Sequence, residues 1–120
     1  MGWRLALTFT QRVRADGAGL VVSLHGEMDA DGSDSFERAT QRLIAQRRPR
    51  LLHIDLADLR FLDSAGVSAI VRLWRLARRE RCSLRVVNPT GAVRRALEMT
   101  GALAIVGGGS ASAPPPGPTL

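Results

Sequence analysis

Leu51-Leu52-His53-Ile54-Asp55-Leu56-Ala57-Asp58-Leu59-Arg60-Phe61-Leu62-Asp63-Ser64-Ala65-Gly66-Val67 joins an apolar run to a polar elbow and then to an amphipathic pattern. Leu51 to Leu56 has strand length and suits a sheet covered on both faces. A long helix starts near Ser64. Val67, Ile70, Val71, Trp74 and Ala77 recur at helical spacing as its apolar stripe, with Trp74 in the core. Arg72, Arg75, Arg78 and Arg79 crowd its polar side. Ser64 reads as the N-cap, its oxygen accepting a bond from an orphan backbone N–H, worth about 1 kcal/mol. Asp63 is an alternative cap. A hydroxyl at the mouth of a helix is also a place where charge can be added or removed, so Ser64 is a candidate switch.

Outward from this stretch the chain alternates. Leu5 to Val13 reads as a strand, and Ala15-Asp16-Gly17-Ala18-Gly19 as a turn. Leu20 to His25 is a second strand, closing a hairpin. Gly26-Glu27-Met28-Asp29 is an acidic loop. A helix follows, capped by Asp34 with Glu37 completing a capping box; Phe36, Ala39, Leu43 and Ile44 share its apolar face. Pro49 stops it. After the central strand and helix come a short strand, Leu84 to Val87, and a helix opened by Asn88-Pro89-Thr90. Val93, Ala96, Leu97 and Thr100 follow its spacing, and Gly101 ends it. Leu103 to Val106 reads as a last short strand. Strand–helix–strand alternation predicts parallel pairing with right-handed crossovers. The expected fold is α/β, a mixed sheet with an N-terminal β-hairpin and helices packed against it. Residues 1–106 form the domain. The Gly/Ser/Ala/Pro-rich residues 107–120 form a disordered tail, too poor in apolar surface to offset the entropy of ordering.

Composition narrows the function. The chain has 120 residues, enough for one domain with a core, and 45% of them are hydrophobic. No apolar run reaches the ~18–20 residues of a membrane span, and the first residues fit neither a signal peptide nor a myristoylation pattern. A cytoplasmic location without membrane insertion is expected. Cys82, the single cysteine, forms no internal disulfide; just before a strand, it reads as semi-buried and inert. His25 and His53 fall on strands as packed residues, and without other ligand clustering no metal site is expected. Glu27 and Asp29 lack a nucleophile or metal set beside them, and Asp63-Ser64-Ala65-Gly66 is not a hydrolase elbow, so no enzyme activity and no cofactor are expected. The 17 basic residues are all arginine, and the net charge is +6. That balance fits a basic surface for nucleic acid or an acidic partner, and equally the codon bias of a GC-rich genome. Scattered arginines, scarce aromatics and the lack of a binding motif speak against direct nucleic-acid binding.

Three segments carry a resemblance to the STAS domain family, and within it to bacterial anti-sigma factor antagonists. Gly26-Glu27-Met28-Asp29 resembles the family's Gly-Glu-Leu-Asp loop. Asp55 to Val67 resembles its strand–elbow–helix signature. Val87 to Gly101 resembles its third helix. The resemblance covers roughly residues 15 to 106. It implies a STAS-type mixed sheet and a protein that binds an anti-sigma factor and so frees a sigma factor to direct transcription. The implied partner is a serine kinase with a histidine-kinase-like ATPase fold. It would phosphorylate the serine after the elbow aspartate, here Ser64, and so break the complex; a phosphatase would reverse the step. Asp29, Asp63, Ser64, Ala65 and Gly66 occupy the implied partner-binding positions. Gly66 also suits close packing of the helix start against a neighbouring strand.

The chain departs from the family pattern at Ala30-Asp31-Gly32-Ser33, at Ala65 where a second serine is common, and at the end, where Gly, Ser, Ala and Pro replace a further helix. The alternative within the same fold is an accessory subunit of a lipid-transport ATPase or other transporter, gripping another subunit without phosphorylation.

Overall fold

The computed structural model describes residues 9–17 and 19–107. The element order is β1 (Phe9–Asp16), β2 (Gly19–Met28), α1 (Ala30–Arg47), β3 (Leu51–Leu62), α2 (Ser64–Arg79), β4 (Ser83–Val87), α3 (Gly91–Met99) and α4 (Ala102–Val106). The four strands form one sheet in the order β1-β2-β3-β4. β1 pairs antiparallel with β2, and β2–β3 and β3–β4 are parallel. The expected mixed sheet with an opening hairpin is therefore present. The expectations for the tail and for Leu5 to Thr8 fall largely outside the described residues.

Burial alternates along β4 and the first half of β3, while β2 is buried continuously from Gly19 to Val22 before it alternates. Leu20, Val22 and Leu24 of β2, Leu52, Ile54 and Leu56 of β3, and Leu84 and Val86 of β4 are buried. They join Phe36 and Ile44 of α1, Ile70 and Leu73 of α2, and Val93 and Leu97 of α3 in a single core. The intervening Leu51, His53 and Asp55 are only half-buried. A strand covered equally on both faces is thus replaced by one with a fully buried row and a half-buried row.

Beyond Leu56 this alternation gives way to a spacing of three: Leu56, Leu59 and Leu62 are buried while Ala57, Asp58, Arg60 and Phe61 are exposed. Two register shifts explain it. Between Ser23/Asp55 and His25/Asp58, and again between Gly26/Leu59 and Glu27/Phe61, β3 contributes one more residue than β2. Each is a β-bulge, and each returns the next leucine to the core side. Asp55 pins the first one, its Oδ1 accepting from the Ala57 N–H at 3.0 Å and from the Asn88 side-chain amide at 3.1 Å. The polar elbow expected after Leu56 is therefore a twice-bulged continuation of the strand. Gly26 to Met28, read as loop, is likewise the end of β2.

Further expectations are corrected. α1 begins at Ala30 under an Asp29 cap rather than at Asp34. Asp34 pairs instead with Arg38 one turn later, and Glu37 takes no part in a capping box. Its carboxylate receives Arg72 of α2 through two bonds of 2.8 Å, tying the two helices and raising the Arg72 pKa. Leu103 to Val106 is not a strand but part of α4. Gly101, at φ 80°, turns the chain out of α3, and Ala102 and Val106, one helical turn apart, both bury. A short helix thus follows α3 where none was expected. Trp74 lies half-buried at the edge of the core, with the Arg78 guanidinium 4.9 Å from its ring centroid. Cys82 is fully buried rather than semi-buried, and burial raises its thiol pKa.

The bulges make a direct prediction. Leu59→Ala should cost ~2–5 kcal/mol in urea unfolding and Phe61→Ala under ~1 kcal/mol. Equal costs would mean that β3 keeps simple alternation to its end.

Candidate functional site

The parallel register sets Met28 beside Leu62, so β2 and β3 end side by side. Each strand is followed by Asp-x-x-Gly, and each aspartate caps the helix that leaves. The Gly32 N–H donates to Asp29 Oδ1 at 2.8 Å, and the Gly66 N–H donates to Asp63 Oδ1 at 3.0 Å. The backbone carbonyls of the same residues accept from Ser33 and Val67 at 2.8 and 3.0 Å. Two helix N-termini, each bearing a carboxylate, are thereby held at one end of the sheet. An aspartate suits this place because it satisfies an orphan N–H and complements the helix dipole.

The glycines set how closely the helices seat. A Cβ on Gly66 would lie 2.4 Å from Leu62 Cδ1 and 3.1 Å from Met28 Sδ. Gly66 is buried, so its packing role is realised directly. A Cβ on Gly32 would come within 3.3 Å of Asp29 Oδ1 and 3.4 Å of the Phe9 ring.

Of the two readings for the α2 cap, the structure selects Asp63. Ser64 is the first helical residue, and it is exposed. Ala65 and Asp63 are half-buried beside it, and Asp29 is exposed across the strand ends. From Ser64 a groove of about 520 Å³ runs between α2 and α4. Val67, Val71 and Ile105 give it an apolar lining, and Arg72 and Arg75 lie further along α2. Ile105 is 44% exposed. Sequence reading missed Ile105 because its segment read as a strand. The i, i+4 pair Ala102 and Val106 was the available signal.

The histidines lie elsewhere. His25 Nε2 is 3.4 Å from Asp58 Oδ2 beside the first bulge, while its Nδ1 is buried without a partner. Among the described residues no three potential ligands gather as a metal site, and no helix is long and apolar enough to cross a membrane.

The STAS domain family model matches residues 7–113. The chain is 29% identical over 87 residues to the anti-sigma F factor antagonist of Paenibacillus polymyxa, covering 72% of this chain and 74% of that one. The crystal structure of an anti-sigma factor antagonist from Mycobacterium paratuberculosis superposes with a TM-score of 0.73 at 29% identity, covering 81% of each chain. The anti-sigma factor antagonist SpoIIAA in its unphosphorylated form has the same fold, with a TM-score of 0.70 at 20% identity over 78% of this chain and 82% of that one. The chain belongs to the STAS domain family.

The cap assignment is testable by denaturation. Asp29→Ala and Asp63→Ala should each lower stability by about 1 kcal/mol, whereas Ser64→Ala should change it by less than about 0.5 kcal/mol. A loss at Ser64 equal to that at Asp63 would return the cap to the serine.

Proposed function

We propose that this STAS domain is an anti-sigma factor antagonist whose binding is switched off by phosphorylation of Ser64. Its partner on this reading is an anti-sigma factor that is itself a serine kinase of the histidine-kinase-like ATPase type. A phosphatase would restore the binding form. The domain acts by binding, as the substrate of an enzyme rather than as one, and needs no cofactor of its own.

The observation that carries this reading is the exposed hydroxyl of Ser64 at a helix start whose cap is made by another residue. The relatives named for anti-sigma factor antagonism support the partner class. The hydroxyl attacks the γ-phosphorus of ATP, its proton passes to a base on the kinase, and ADP leaves. The product adds about −1.5 to −2 charges at neutral pH. A helix N-terminus accepts an anion, so the scaffold survives.

Asp63 and Asp29 already give the surface negative charge, and the adjoining groove is apolar where Val67, Val71 and Ile105 line it. A partner surface shaped for a neutral serine must then meet a dianion beside carboxylates. Each like-charge pair about 7 Å apart costs roughly 1–2 kcal/mol at intermediate dielectric. One to two such pairs weaken binding by about five- to a thousandfold.

Incubation with the candidate kinase and ATP, followed by mass mapping, should place a single phosphate on Ser64. Ser64→Ala should bind the partner and stay on, and Ser64→Glu should bind at least about fivefold more weakly. A phosphate on another residue, or equal affinity of the two variants, would refute the switch. Stable co-purification with a membrane ATPase would favour the transporter reading instead.

A further inference from the structure

We propose that an arginine-rimmed trough at the far end of α2 from Ser64 is a second binding site, for an acidic protein segment that also carries apolar side chains. The trough holds about 500 Å³. Cys82 and Leu84, both buried, form its floor, and Trp74 and Ile105 stand at its sides. Arg50, Arg78, Arg81 and Arg85 ring it. They come from four places: the approach to β3, the last turn of α2, the turn after it, and β4.

None of these four arginines forms an ion pair among the described residues. The arginines that do are Arg38, Arg48, Arg72 and Arg94. The chain has 11 acidic residues, and all of them lie within the described segments. None of these carboxylates pairs with an arginine of the ring, so the ring presents charge that an acidic partner can match.

The plain explanation for basic residues here is the dipole of α2, which favours cations at its C-terminal end. It accounts for Arg78 and Arg79, which lie in the last turn. It does not account for Arg50 or for Arg85 on β4. Arg81 stands at φ 61°, in the left-handed region where glycine or asparagine is the easier residue. The same conformation occurs at Arg48 after α1, so this position is open to a glycine substitution that removes the guanidinium and relieves the backbone. The Arg78 guanidinium lies over the Trp74 ring, 4.9 Å from its centroid, a cation–π contact that restricts it in advance.

The shape favours dispersed carboxylates over a compact phosphate. Phosphates gather at helix N-termini, and α2 presents its carbonyl end here. The four arginines come from separate elements and share the trough with Trp74, Leu84 and Ile105, which suits a segment alternating acidic and apolar side chains. Arg78 lies 14 residues after Ser64 on one helix, about 21 Å away. Ile105 also borders the groove that starts at Ser64, so the two sites adjoin there; the inference stands whether or not Ser64 is phosphorylated.

The test uses the full chain and a fluorescein-labelled peptide of four Glu-Glu-Leu repeats, read by anisotropy at moderate salt. Saturable one-to-one binding is expected. Arg81→Gly and Arg85→Gln should each weaken it about fivefold, the range of a partly exposed ion pair. The melting temperature of Arg81→Gly should stay equal or rise, because glycine relieves the left-handed residue. The control Arg95→Gln, on α3 outside the trough, should change affinity less than about twofold. Equal weakening by Arg95→Gln would reduce the effect to diffuse charge and overturn the proposal. So would absence of saturable binding, or binding of ATP at the same arginines without binding of the peptide.

Discussion

The parallel register that sets Met28 beside Leu62 is the constraint on which the rest of the structure depends. It brings two strand ends together, so the two aspartates that follow cap two neighbouring helices. The register is reached only because β3 carries two bulges. Without them, a leucine at every third position would send Leu59 to the wrong face and carry the strand end out of step with β2. The bulges therefore serve the core and the site at once. They keep Leu56, Leu59 and Leu62 buried, and they deliver Asp63 to the place where α2 must start. Gly66 then allows that helix to sit directly on Leu62 and Met28.

Much of this was readable in the residues. The hairpin, three of the helices, the parallel crossovers and the position of Ser64 at a helix start follow from periodicity and turn chemistry. What was not readable has specific causes. A run spaced in threes looks like the end of a strand when one sequence is read alone, because a bulge is a relation between two strands. Asp29 and Asp34 are both good caps on local grounds; the choice fell to Asp29 because β2 continues to Met28 and delivers it there. Glu37 matched a capping box, but its carboxylate found Arg72 on a helix 35 residues away. Leu103 to Val106 is too short a run for pattern alone to separate helix from strand. Its burial against the core decided the matter.

Charge is distributed unevenly along the α1–α2 pair. Asp29, Asp31, Asp34 and Asp63 lie at or near the helix starts, and arginines gather toward the ends. This arrangement complements both helix dipoles and so assists folding. It also gives the domain two chemically different ends, one acidic around Ser64 and one cationic around Trp74. The net charge of +6 is thus a poor description of the molecule. Arg72, paired with Glu37, and Arg75 lie further along the groove that starts at Ser64, while the carboxylates of Asp29 and Asp63 stand at the helix starts.

Capping by Asp63 rather than Ser64 bears on the switch proposed at Ser64. Were the serine hydroxyl the cap, esterifying it would alter the bond that starts α2, and modification and folding would be coupled. With the cap on the neighbouring carboxylate, the hydroxyl at the first helical position is spare. Its modification adds charge where backbone N–H groups already favour an anion, while the Asp63 to Gly66 bond and the packing of Gly66 on Leu62 remain in place. The free energy of modification is then directed outward, to whatever surface rests on Ser64, rather than inward to the core. The proposed switch, in which one added charge costs the domain a partner, needs this separation, and one residue's displacement of the cap along the chain supplies it.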